Sequence, residues 1–107
     1  MKTIIVVKEF HPRPKWRYRD EGDGSGEAFR EEQLAPALRE FKKVKVDLTG
    51  YNRYGPSFVS EAFGGLIRDE NFSLEDLKDK LIITHELLPS FEGVCWEEIE
   101  KAAREMG

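Results

Sequence analysis

The sequence predicts one α/β domain, a mixed sheet covered by helices, and three observations carry that reading. Thr3 to Val7, Val44 to Leu48 and Leu81 to Thr84 are short runs rich in β-branched residues, each with strand character. Between and after them, apolar residues recur at helical spacing: Phe29, Leu34, Leu38 and Phe41, then Phe58, Ala62, Phe63, Leu66 and Ile67. The 107 residues suffice for one core and not for two, so 1–107 is read as a single domain. The expected order is β-β-α-β-α-(α)-β-α, with right-handed crossovers.

Each element has a local reason. Thr3 to Val7 reads as a buried central strand; its apolar run ends at Lys8-Glu9, too short for a signal peptide or a membrane span. His11-Pro12-Arg13-Pro14 is a turn, because neither proline can donate to a ladder. Lys15-Trp16-Arg17-Tyr18-Arg19 alternates basic and aromatic residues and reads as a strand paired with the first. Gly22 to Gly26 is a solvated loop, with Ser25 as N-cap of the following helix and Glu27 in its first turn. Pro36 inside that helix predicts a kink or restart.

After the Val44 to Leu48 strand, Thr49 to Pro56 is rich in turn formers. The next helix starts at Ser57, read as its cap. Gly64-Gly65 inside it costs about 1 kcal/mol per glycine against alanine, and close packing on the sheet is the expected compensation. Ser73-Leu74-Glu75-Asp76 resembles a capping box. Trp96, Ile99, Ala103 and Met106 form one face of a last helix.

Composition excludes several function classes. Charged residues make up 36% of the chain, and the formal charge of -4 offers no global attraction to nucleic acid or anionic lipid. Cys95 is the only cysteine, so neither an intrachain disulfide nor a thiolate zinc site can form. One cysteine favours a reducing compartment, and cytoplasm is the expectation. His11 and His85 belong to no recognisable triad and read as ordinary surface or strand-end residues. Cys95 reads as a small core or cap residue. The glycine-rich loop lacks a P-loop lysine and carries acidic neighbours that repel phosphate. The expectation is therefore a protein without enzymatic activity, cofactor or metal.

Two segments remain as candidate sites. Lys8 to Arg19 has five basic residues against Glu9, followed by six acids against Arg30 from Asp20 to Glu32, a dipolar pattern suited to a charged partner. Within it, Lys15, Trp16, Arg17, Tyr18 and Arg19 form a candidate anion or nucleic-acid strip, since basic residues interleaved with aromatics suit single-stranded nucleic acid. The second segment is the turn around Ser57, where an added phosphate would bring about -1.5 to -2 charge.

The runs Trp16 to Asp20, Gly24 to Glu31, Leu34 to Leu38 and Val44 to Leu48 resemble the STAS-like domains of bacteria and their phages. Above all Ser57-Phe58-Val59-Ser60-Glu61-Ala62-Phe63-Gly64-Gly65-Leu66-Ile67-Arg68 carries the resemblance. This family of unknown function is related in fold to anti-sigma-factor antagonists. The resemblance implies a mixed sheet of four or five strands with helices mainly on one side. It also implies a regulatory module that docks an ATPase-type kinase or another regulatory complex. In the antagonists a serine at the strand-to-helix turn is phosphorylated, and Ser57 is the residue at the matching place. Thr49 and Pro56 depart from the antagonist pattern of a strand ending in Asp-Leu-Asp-Gly before a turn with two serines.

The sequence therefore reads as an interaction module with Tyr54, Gly55, Pro56, Ser57, Phe58 and Glu61 as candidate partner-docking residues and Ser57 as the candidate switch. The alternative is nucleotide or single-stranded nucleic-acid binding through residues 15–19. Weaker alternatives are a hydrolase or phosphotransfer enzyme using Asp47 and Ser57, and a phage-encoded inhibitor of a bacterial defence complex.

Overall fold

Strand β1 spans Lys2–Ile5 and stops two residues short of the end of the apolar run that encodes it. The Ile5 N–H is captured by Glu9 Oε2 at 2.6 Å, and Val6–Glu9 closes into a helical turn, α1, with Val6 buried. A computed structural model describes all residues 1–107. Strands β2 (Val44–Asp47) and β3 (Leu81–Thr84) complete a sheet ordered β1-β2-β3. Both pairings are parallel, with Ile4 opposite Val46 and Val46 opposite Ile83. The expected mixed sheet of four or five strands is therefore corrected to three parallel strands.

The missing strand is residues 15–19, and its backbone hydrogen bonds show why. Lys15 N–H donates to Gly24 O at 2.9 Å, while Trp16 O and Arg17 O accept from Gly26 and Glu27 N–H at 3.0 Å each. Carboxylates take the remaining donors: Glu21 Oε1 accepts from Arg17 and Tyr18 N–H, and Glu27 Oε1 from Arg19 N–H. Trp16 adopts φ 78°, a left-handed conformation no strand tolerates, and Arg19–Glu21 forms a 3₁₀ turn. The segment is a loop sewn to residues 24–27. Consequently the glycine-rich stretch is not a solvated turn, because Gly24, Ser25 and Gly26 are buried.

Parallel strands need crossovers, and helices supply them. Helix α2, residues 26–40, joins β1 to β2; Ser25 caps it by accepting the Ala28 N–H at 3.1 Å, as expected. The disturbance expected at Pro36 appears one turn earlier as a π-helical turn, Arg30–Leu34, where Ala35 N–H reaches back to Arg30 O. A proline ring clashes with the carbonyl four residues before it, and the widened turn relieves that clash.

Helix α3, residues 56–68, begins with Gly55 as N-cap and Pro56 in its first turn. Ser57 lies inside the helix and makes no side-chain cap, which corrects its expected role. Ser60–Gly64 is a second π-helical turn. Helix α4 (Leu74–Lys80) has the expected capping box, with Ser73 Oγ accepting from Asp76 N–H and Asp76 Oδ2 from Ser73 N–H.

Helix α5 (Phe91–Met106) buries Cys95, Ile99 and Ala102. Trp96 and Ala103 are half-buried, and Met106 is exposed, so the buried face is rotated from the expected one. One continuous core joins the inward strand residues Ile4, Val44, Val46, Leu81 and Ile83 to all the long helices. Outward residues Ile5, Lys45, Asp47 and Thr84 stay half-buried and Ile82 exposed, so helices cover one face of the sheet.

Candidate functional site

Ser57 and the loop at Lys15–Arg17, distant in sequence, line one cleft of about 470 Å³ together with Glu21, Arg53 and Tyr51. Trp16, Tyr51 and Phe58 are the aromatic residues of its lining, and Tyr54 packs behind Tyr51 and Phe58. Buried Tyr54 donates its hydroxyl to Leu48 O at 3.0 Å, and its ring packs on Tyr51 at 5.1 Å, with Phe58 and Phe91 at 5.7 Å. Burial pushes the Tyr54 phenol far above its ordinary pKa. The turn is thus anchored from below, and Pro56 and Ser57 are presented to solvent.

Of the six docking candidates, only Gly55, Pro56 and Ser57 lie at the surface. Tyr54 and Phe58 are buried in the core, Phe58 also lining the cleft. Glu61 is likewise buried, 6% exposed, and paired with Arg30, whose Nη1 donates to Glu61 Oε2 at 2.7 Å and to Glu61 O at 2.8 Å.

The basic strip divides. The Lys15 ammonium sits 4.4 Å from the Trp16 ring centroid, within range of a cation–π contact. Arg17 faces Glu61 at 3.7 Å and still lines the cleft. Arg19 turns away to α2 and pairs with Glu31 and Glu32. Trp16 and Tyr18 are 38% and 48% exposed rather than core-facing. Trp16 is held from behind by Gly22, where any Cβ would strike the indole Nε1. Lys15 and Arg53 have no carboxylate partner, since the ion pairs of the chain involve other cations.

Beside this cleft lies a polar one of about 630 Å³, built around Arg30. Arg30 is 2% exposed; besides Glu61 it donates from Nε to Glu70 Oε2 at 3.0 Å. Burial works against its charge, but hydrogen bonds to Glu61 and Glu70 outweigh it and strengthen the cation. Burial alone would raise the Glu70 carboxyl; hydrogen bonds from Arg39 and Arg30 hold it below the usual range.

The glycine pair of α3 is explained here rather than by the sheet. A Cβ on Gly65 would collide with Arg30 Nη1, and one on Gly64 would lie 2.8 Å from Arg68 Nη1. Arg68 in turn donates to Ser60 O at 2.8 Å, within the π-helical turn. Sequence reasoning missed Arg30. Its signal was an arginine in register with the apolar stripe Leu34, Ala37 and Phe41.

His85 is 1% exposed, so the surface reading is corrected; it directly follows the last residue of β3. Its Nδ1 accepts from Leu88 N–H at 3.2 Å, leaving Nε2–H to donate to Tyr51 O at 2.8 Å. The ring ties the loop after β3 to the loop after β2. Cys95 is buried in the core, and burial pushes its thiol far up. Asp47 is desolvated, yet hydrogen bonds from Thr49 outweigh that and hold its carboxyl below the ordinary range. It does not line the cleft at Ser57.

Comparison with known proteins agrees with this architecture. A family model described as a STAS-like domain of unknown function (DUF4325) matches residues 25–89. The matched span runs from the cap of α2 through β3 and includes both Arg30 and Glu61, but it excludes β1, the 15–19 loop and α5. No curated protein and no solved structure matches the chain. No helix is long and apolar enough to cross a membrane. With more than half its residues matched, over the segment that builds the buried pair, the chain belongs to the family of STAS-like domains of unknown function.

Proposed function

We propose that the domain is a non-enzymatic, regulatory protein–protein interaction module that docks an acidic partner surface. The docking face comprises Gly55, Pro56 and Ser57 with the neighbouring Lys15–Tyr18 loop. One observation carries this reading: exposed Ser57 shares a cleft with Lys15, Arg17 and Arg53, a local excess of cations in a chain of net charge -4. The exposed Trp16 and Tyr18 add aromatic contact area of the kind that dominates interfaces.

Two further observations support a binding rather than a catalytic role. Both ring nitrogens of His85 are occupied by backbone groups, and the Cys95 thiol is buried and protonated. Phosphorylation of Ser57 would place about -1.5 to -2 charge among the three cations, neutralising the rim that attracts the partner. An ATPase-type kinase, or another regulatory complex, is the partner class that the family resemblance suggests.

Affinity capture with the parent protein, Ser57→Glu and Arg53→Glu tests the proposal. Each substitution is expected to weaken the captured complex by roughly tenfold, the effect of losing one favourable charge contact. Equal affinity of all three proteins would remove this face from consideration.

A further inference from the structure

We infer that the cleft between the Lys15–Arg17 loop and Ser57 is a binding site for a nucleoside phosphate. The inference concerns the isolated domain and stands whether or not a protein docks on the same face. Three features converge on it: the size of the cleft, the placement of its cations and the mounting of Trp16.

Size comes first. About 470 Å³ falls in the range of small-molecule sites, roughly 300–1,000 Å³, and is the volume of a ligand rather than of an extended chain. Nor is there a cationic track for a polynucleotide, because Arg19 is turned aside onto Glu31 and Glu32. A single compact anion suits the geometry better than a strand.

The charge is concentrated, with the Lys15 ammonium over the Trp16 ring, Arg17 beside Glu61 and Arg53 in no ion pair. Lys15, Arg17 and Arg53 line the cleft, and Lys15 and Arg53 form no ion pair. Glu21 is the one acidic residue in the lining, and its Oε1 already accepts the Arg17 and Tyr18 N–H groups at 3.2 and 2.9 Å. Net positive charge at one point of an acidic protein selects an anion, and arginine forks match phosphate oxygens two at a time.

Trp16 supplies the second half of the ligand. Backbone hydrogen bonds from Lys15 and to Trp16 and Arg17 fix its main chain, and Gly22 lies against its indole edge. The ring stays 38% exposed at the cleft wall. An exposed, rigidly mounted indole beside cations suits a flat heteroaromatic ring attached to phosphate, where stacking and charge act on one molecule.

The test uses Trp96→Phe protein, so that Trp16 is the only tryptophan, titrated at low salt with ATP, tripolyphosphate and a short oligothymidylate. ATP is expected to quench Trp16 fluorescence saturably and to bind about tenfold tighter than tripolyphosphate, the order of one base–aromatic stack. Lys15→Ala and Arg53→Ala alter exposed side chains and should each weaken ATP severalfold while circular dichroism is unchanged. Absence of quenching, equal affinity for ATP and tripolyphosphate, or binding of the oligonucleotide alone would each overturn the assignment.

Discussion

The guanidinium of Arg30 reaches Glu61 at 2.7 Å across two helices, and both residues sit in π-helical turns. The contact is more than a side-chain pair, because Nη1 also donates to the Glu61 carbonyl at 2.8 Å. A π-helical turn disturbs the regular ladder of its helix, and here a buried cation from the facing helix bonds a carbonyl of that turn. The pair thus joins α2 to α3 beneath the cleft that carries Arg17.

Breaking this pair one side at a time should be costly. Arg30→Ala and Glu61→Ala should each lose about 3–5 kcal/mol in urea unfolding, and Gly65→Ala, by driving a methyl into the guanidinium, about 1–3 kcal/mol. Replacing both partners, as Arg30→Met with Glu61→Leu, should recover much of that loss, since no buried charge remains uncompensated. A double variant as unstable as the sum of the single ones would show that the pair is not the source.

Gly26 sets the approach of the same two helices. A Cβ there would lie 2.6 Å from Phe58 O, a contact with backbone that no rotamer change relieves. Gly26→Ala should cost about 1–3 kcal/mol by overpacking, despite the better helix propensity of alanine. An unchanged unfolding midpoint would mean that the helices separate freely.

Stability should fall in acid for a definable reason. Asp47 and Glu70 are both held below the ordinary carboxylate range, so the unfolded chain binds protons more readily than the folded one. Their contribution is complete above the unfolded pKa, about 4, and is lost as pH drops through the lower folded values. Glu70→Gln should therefore be destabilised at pH 7, with its deficit against the parent shrinking below about pH 4.5. A deficit constant from pH 7 to pH 3 would contradict this.

Cys95 should resist alkylation. Its buried, protonated thiol should react with iodoacetamide at pH 8 only after unfolding, with a labelling rate that rises with urea in step with loss of structure. Rapid labelling of the native protein would place the thiol outside the core.

The sequence carried the local rules well. Ser25 and Ser73 cap the helices they precede, the β-branched runs at Val44 and Leu81 are strands, and the apolar spacing of Phe58, Ala62 and Leu66 marks a buried face. These follow from hydrogen-bond donors and side-chain periods within a few residues. The candidate site was legible in part: Ser57 and the Lys15–Arg17 segment were both singled out, but nothing in either segment shows that they share a cleft.

Tertiary structure decided the rest. The alternation of Lys15 to Arg19 satisfies the period of a strand, yet its backbone donors found Gly24, Glu21 and Glu27 before they could meet β1. Gly65 encodes nothing by itself until Arg30, 35 positions earlier, claims the space its side chain would fill. Sequence determined the helix caps and the strands at Val44 and Leu81, because those preferences are short-ranged. Which cations remain unpaired, and what they surround, depends on contacts between residues far apart in the chain.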